Sequence, residues 1–440
     1  MPLALALARL CSAALAICAA GAALAQGLPA PVTDDAYRPV NAAAAEVGRL
    51  LFYDPILAGG RDISCAGCHR EAFGTSDGLS LGLGEGGVGV GPDRRANPDN
   101  PPEKRIPRNS QALFNLGARE FRVMFHDGRV EEDAAHPSGL RSPLAEDLPH
   151  GLDNVLAAQA MFPVVSPDEM AGQLRESDVS RMVRMGRIAG PDGAWALLAA
   201  RVAAVPAYDA MLRAAYPHMA GRPVAFPDLA NAIAAFIAAE WRSDASPFDA
   251  ALRGEAPLTG AAADGMALFY GDAGCAACHS GPFQTNHRFH AMGVPQIGPG
   301  KALAFEAHSR DMGRMAVTGA PEDAWRFRTP SLRNVLHTGP WGHDGAYADL
   351  RDFLAAHGRG EDAYDIARAL LPPLYGAVDD AVLTDAEQCA AIAAAAEAPR
   401  PDPAWIDPLI TFLGSLSDPA ALAGVMGAPD AVPSGLEPGL

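Results

Sequence analysis

Ser64-Cys65-Ala66-Gly67-Cys68-His69 and Gly274-Cys275-Ala276-Ala277-Cys278-His279 place the same Cys-x-x-Cys-His pattern in each half of the chain. Two thiols one helical turn apart can each add to a porphyrin vinyl group, and the adjacent His then falls beneath the iron as its proximal ligand. A zinc site would need the two Cys pairs to converge and leaves both trailing His residues unexplained. A redox dithiol needs a βαβ setting that the flanking sequence lacks. The pattern therefore points to two covalently bound haem c groups, held by Cys65, Cys68 and His69 and by Cys275, Cys278 and His279.

Outward from these motifs the two halves follow one plan. Leu51-Phe52-Tyr53 precedes the first and Leu268-Phe269-Tyr270 the second. Arg108-Asn109-Ser110 leads to His126-Asp127-Gly128, as Arg333-Asn334-Val335 leads to His343-Asp344-Gly345. Such spacing implies internal duplication. Helices are expected over 41–52, 194–216, 227–241 and 347–356, with long loops over 74–91 and 92–108. The expected fold is mainly α: two cytochrome c-like haem domains related by internal duplication, with long irregular loops. Expected boundaries are 1–25, 26–248, 249–420 and a tail at 421–440, with the linker within Ser243 to Pro257.

Residues 1–25 read as a secretory signal peptide: Arg9, an apolar run from Leu10 to Leu24, and Ala23-Leu24-Ala25 as a small-x-small cleavage pattern. An uncleaved membrane helix is the alternative, although the run is shorter than a span requires. Export to the periplasm follows, with no membrane anchor expected. Of the seven Cys, Cys11 and Cys18 leave with the signal, four belong to the haem motifs, and Cys389 reads as a buried thiol in an Ala-rich helix. A net charge of −18 disfavours nucleic acid and would steer a basic protein partner toward the surface; simple solubility explains the charge equally well.

An open sixth position on iron permits peroxide chemistry, whereas a filled one suits electron transfer. Candidate sixth ligands are His126, His136 and His150 in the first half, and His287, His290, Met292, His308, Met312, His337, His343 and His357 in the second. Spacing alone does not choose among them.

From Val47 to Pro419 the chain resembles the bacterial dihaem cytochrome c peroxidases and their MauG relatives. The likeness rests on 64–69, Phe125-His126-Asp127-Gly128-Arg129, Glu169-Met170, the run from Phe327 to Val335, and His343-Asp344-Gly345. The resemblance implies that the first haem reacts with hydrogen peroxide beneath Gln159, Pro163 and Glu169. It makes Glu169 the proton shuttle, although Glu169 after Ser166-Pro167-Asp168 also reads as a plain helix-start carboxylate. Where the ordinary peroxidases carry a blocking His, sixteen residues after the proximal one, this chain has Glu85. This resembles the MauG branch, whose first haem is open.

The same resemblance makes His357, seventeen residues after Pro340, the sixth ligand of the second haem iron, with His343 the rival and helix capping the bland alternative. It implies one calcium ion held by Asn109, Thr338 and Pro340. His126 stands where the family has a Trp between the haems, and is the candidate inter-haem relay. About twenty extra residues between Arg129 and Gln159 read as a surface loop. The implied activity is a peroxidase that forms a high-valent dihaem state and oxidises a protein partner. The alternatives are an ordinary cytochrome c peroxidase drawing electrons from a small cytochrome or copper protein, and a pure electron-transfer dihaem cytochrome.

Overall fold

The computed structural model describes residues 27–301, 308–358 and 382–439. The signal segment lies outside the described residues. About 39% of the described residues are helical. In the first half, α1 (Ala42–Tyr53), α2 (Val155–Ala160), α3 (Ala194–Ala203), α4 (Pro206–Ala215) and α5 (Phe226–Glu240) surround one apolar core. Asn41 starts α1, its side chain accepting from the Ala43 and Ala44 amides and so satisfying two of the donors that a helix start leaves unpaired. The expected single helix over 194–216 is two helices, bent by 99° at their junction. Pro206 is the reason: it has no amide to continue the ladder and pushes Val205 into extended backbone, φ −89° and ψ 108°.

The second half contains α6 (Pro247–Leu252), α7 (Ala261–Phe269), α8 (Leu350–Ala356), α9 (Ala386–Ala395) and α10 (Ile406–Gly414). The helix expected over 347–356 begins at Leu350, because the Asp349 side chain accepts from the Arg351 amide and sets the start there. Its core gathers Phe248, Phe269, Val335, Leu350, Leu409 and Phe412. Cys389 lies on α9, half-buried, with its Sγ 3.4 Å from the Leu383 carbonyl oxygen.

In both halves the helix preceding the Cys-x-x-Cys-His motif crosses a later one at a glycine. A Cβ on Gly48 of α1 would lie 1.9 Å from the Ala232 carbonyl oxygen of α5. A Cβ on Gly265 of α7 would lie 1.9 Å from that of Pro408 in α10. Only glycine lets the backbones approach this closely, and the crossing fixes where each haem motif leaves its helix. Around the first crossing Phe52, Phe236 and Trp241 pack with ring centroids 5.2–5.3 Å apart. Burying rings of this size contributes about 1.5–3 kcal/mol each.

The strands are short. β1 (Gly87–Val88) pairs β2 (Arg95–Ala96), so the long loops over 74–108 are pinned by a small hairpin. β3 (Val123–Met124), β4 (Val130–Glu132) and β5 (Leu140–Arg141) form an antiparallel sheet. Part of the expected surface loop after Arg129 is therefore strand. β6 (Phe289–Ala291) pairs β7 (Arg326–Arg328). The chain end returns to the first half, where Gly439 donates to the Tyr53 carbonyl at 2.8 Å and Ser434 to Asp54 Oδ1 at 2.7 Å.

Candidate active site

Each Cys-x-x-Cys-His motif opens with a 3-10 turn, Cys65–Gly67 or Cys275–Ala277. The His amide then donates to the first Cys carbonyl, at 3.0 Å for His69 and 2.9 Å for His279. The turn places the thiols and imidazole on one side, each set facing its own cavity. The first cavity, of about 160 Å³, is lined by Cys65, Cys68 and His69. The second, of about 260 Å³, is lined by Cys275, Cys278 and His279. The two Cys pairs thus do not converge, and among the described residues no cluster of three or more His, Cys, Asp or Glu forms a metal site.

The donor chemistry fits haem. His69 Nδ1 donates to the Thr75 carbonyl at 2.9 Å, and His279 Nδ1 to that of Gln284 at 3.1 Å. Holding Nδ1 this way leaves the Nε2 lone pair for iron. Burial pushes both imidazoles down, His279 to about 4, so each is neutral and ready to ligate. Burial also pushes the Cys65 and Cys68 thiols up to about 12. A redox dithiol requires the opposite shift. Ile63, Leu113, Leu156, Val164, Ile233 and Ile237 supply the apolar wall of the first cavity.

The first cavity is also lined by Gln159 on α2, Pro163, and Glu169 in the π-helical turn Pro167–Ala171. Burial raises the Glu169 carboxyl, partly opposed by the Arg129 and Lys301 charges and by a hydrogen bond from the Ser166 side chain. The structure thus brings together three residues that sequence spacing had linked. It adds Arg129, which also lines the cavity and lies 3.5 Å over the Phe125 ring. Ser110 is a further addition: its hydroxyl donates to the Cys68 carbonyl at 2.7 Å and lies 3.3 Å from His69 Nδ1. Both sit inside segments that drew attention for other residues, and their contacts depend on the folded chain.

Four of the candidate sixth ligands from the second half line the second cavity: His290, Met292, His343 and His357. His290 is occupied by Glu397 at 3.1 Å and Asn286 at 3.2 Å. His343 stacks on Phe327, with centroids 3.9 Å apart and planes 16° apart. His357, at the end of α8, turns an edge to Phe353 at 5.4 Å and carries a buried Nδ1 with no hydrogen-bond partner. Burial, and then the neighbouring His279, push its imidazole down to about 3. His136, His150, His287, His308, Met312 and His337 line neither cavity.

His126 lines both cavities, as do Asn109, Ser110 and Gln111. Burial, then the Arg108 and His343 charges, hold the His126 imidazole well below its usual range, so it is neutral. Asn109 Nδ2 lies 2.6 Å from the Pro340 carbonyl oxygen, and Asn109 Oδ1 is buried without a partner. The Thr338 hydroxyl donates to the Val335 carbonyl at 3.1 Å.

Residues 42–257 match the model of the di-haem cytochrome c peroxidases. A cytochrome-c peroxidase of Denitromonas iodatirespirans, IdrP1, is 30% identical over 387 residues, 81% of this chain and 84% of that one. The methylamine utilization protein MauG of Methylorubrum extorquens is 28% identical over 334 residues, 76% of this chain and 73% of that one. Among solved structures, a MauG-like protein associated with microbial copper homeostasis superposes with a TM-score of 0.55 at 24% identity, covering 90% of this chain and 94% of that one. The last likeness is one of fold, consistent with a cytochrome c-like haem architecture. Two separate cavities, each facing a Cys-x-x-Cys-His motif, suit the two haem c groups that such relatives imply, and the chain belongs to the di-haem cytochrome c peroxidase and MauG family of peroxidases.

Proposed function

We propose that this peroxidase acts in the manner of MauG, reacting with hydrogen peroxide at an open first haem and oxidising a protein partner. The observation that carries this reading is the placement of Glu85. Its side chain accepts from the Gly60 amide at 2.6 Å and does not line the first cavity. Besides His69, the only histidine among the described residues lining that cavity is His126. Bound haem would supply the redox chemistry, passing two electrons to peroxide and holding two oxidising equivalents for a partner. Glu169 would take the proton from the near peroxide oxygen and return it to the far one, so that water leaves. Gln159 would hold the peroxide by hydrogen bonding. Such positioned proton transfer contributes about 10²- to 10⁴-fold.

His279 and His357 are assigned to the second haem iron. A second imidazole in place of the Met of the ordinary peroxidases lowers the potential and eases oxidation of that haem. His126 is the relay candidate, because it borders both cavities. Asn109, Thr338 and Pro340 are assigned one calcium ion. The parallel crossings at Gly48 and Gly265 support two duplicated haem domains, divided near 248. The signal-like N-terminus supports a periplasmic location, and the charge of −18 supports a basic partner.

The test is the visible and near-infrared spectrum of the fully ferric protein after one equivalent of hydrogen peroxide, with no donor. Prompt conversion to a long-lived oxidised species is expected. No change until one electron is added would mean a blocked first haem and an ordinary cytochrome c peroxidase.

A further inference from the structure

Glu169 sits in a short turn whose backbone is gripped from two sides. The glycine loop grips one side: the Glu85 amide donates to the Glu169 carbonyl at 2.8 Å. Gly84 lies so close that a Cβ there would be 2.1 Å from the Asp168 carbonyl oxygen and 2.7 Å from Glu169 Cα. The other side is held by the 59–60 turn, where the Gly59 amide donates to the Met170 carbonyl at 2.7 Å. One side chain joins the two grips. Glu85 reaches from the glycine loop to accept from the Gly60 amide, and it is only 4% exposed.

We propose that Glu85 is a positioning residue: by tying the glycine loop to the 59–60 turn, it fixes the backbone that sets where the Glu169 carboxyl stands. The proposal rests on the reading of Glu169 as the proton shuttle. Arg94 holds the outer part of the same loop, donating to the carbonyls of Leu83, Gly84 and Gly89 at 2.7, 2.9 and 3.1 Å. The loop is therefore a built clamp.

A charge on Glu85 would strengthen its bond to the Gly60 amide but set it against two neighbouring carboxyls. Asp62 and Glu176 face it, with Arg201 the nearby cation and Arg61 and Arg94 further out. A Cβ on Gly172 would lie 2.6 Å from Glu85 Oε1 and 2.5 Å from Glu176 Oε2, so these two carboxyls meet over one glycine. Glu85 Oε2 is buried without a partner. A second carboxylate in such a place raises the first by repulsion, and burial adds to it. Burial, then Asp62 and Glu176, push the Glu85 carboxyl up to about 8. Above that pH the charged group repels its neighbours and loosens both grips on the Glu169 turn.

The test compares the haem-loaded wild type with Glu85→Gln and Glu85→Ala. Gln keeps the acceptor for Gly60 and never ionises. Two readouts are used across pH 6 to 10: the rate of the ferric protein's reaction with hydrogen peroxide, and hydrogen-exchange protection factors over 82–89 and 167–172. In the wild type both should fall through about pH 8, while Glu85→Gln should hold its neutral values across that range. Glu85→Ala should react on the order of tenfold to a hundredfold more slowly at every pH, the scale of a small misplacement of a catalytic group. Superimposable alkaline limbs in wild type and Glu85→Gln, or a wild-type rate in Glu85→Ala, would overturn the proposal. A ferric wild type that does not react with peroxide sinks the open-haem reading instead, and the protection factors still decide the role of Glu85.

Discussion

The Arg108 guanidinium meets the Asp311 carboxylate fork to fork, at 2.7 and 2.8 Å, across 203 residues of chain. Its third nitrogen reaches Asp127 at 2.7 Å, so one buried cation that lines the first cavity joins the two halves. Burial alone would raise both carboxyls, but the Arg108 charge outweighs it and holds both below the usual range. Removing Arg108 leaves buried Asp311 without its counter-ion and Asp127 with Arg129 alone, which costs about 3–5 kcal/mol. Arg108→Met should lose that much in denaturant unfolding. The sign with pH follows from the lowered values. The contribution is fully present above the ordinary Asp range, near pH 4, and is lost as pH falls toward the folded values. Wild-type stability should therefore drop below about pH 4, and Arg108→Met should lack that drop.

Glu169→Gln removes the proton acceptor while leaving the haem thiols and His69 untouched. Haem content and the ferric spectrum should match the wild type. The rate with hydrogen peroxide should fall about 10²- to 10⁴-fold. Because burial raises the Glu169 carboxyl, the wild-type rate should decline as pH falls through a value above the usual Glu range, and Glu169→Gln should lose that acid limb. A wild-type rate in Glu169→Gln would reduce Glu169 to the helix-start carboxylate that its sequence also permits.

What was legible in the sequence is what spacing encodes. Cys65, Cys68 and His69 needed only their order, whereas the glycine crossings at Gly48 and Gly265 that launch the haem turns went unread, because their partner helices lie far along the chain. Gln159 and Glu169 were legible through a likeness of spacing, and the fold brings them to one cavity. The break at Pro206 was equally visible, yet apolar periodicity ran across it. Ser110 and Arg108 were not legible because their partners lie on other segments, and Arg129 was not because the cavity it lines is built from distant ones. Nothing local to Arg108 announces Asp311. Four second-half candidates line the second cavity, and only the fold shows that Phe327, Glu397 and Asn286 engage two of them, His343 and His290.

His357 is left with an unpartnered ring nitrogen in the second cavity, whereas His343 is stacked and His290 is hydrogen-bonded. His357→Ala should convert the second haem from low spin to high spin in the ferric electron paramagnetic resonance spectrum, with the first haem unchanged. His357→Met should keep it low spin and raise its potential, as Met ligation does. Conversion by His343→Ala in place of His357→Ala would move the assignment to His343.

Asn109 presents one amide atom to the Pro340 carbonyl at 2.6 Å and leaves the other buried and unpartnered. A half-turn of the amide would set Oδ1 beside the Pro340 oxygen, an arrangement of two acceptors that is favourable only with a cation between them. Calcium accepts such side-chain and backbone oxygens together with water. A ligand bound only by the folded state at about a hundred times its Kd adds about 2.7 kcal/mol. Millimolar calcium should therefore raise the melting temperature of the chelator-treated holoprotein by several degrees, and chelator should reverse the rise. Asn109→Ala should melt at one temperature with or without calcium. An unshifted wild type would remove calcium from this site and leave the Asn109 to Pro340 hydrogen bond as the whole of the contact.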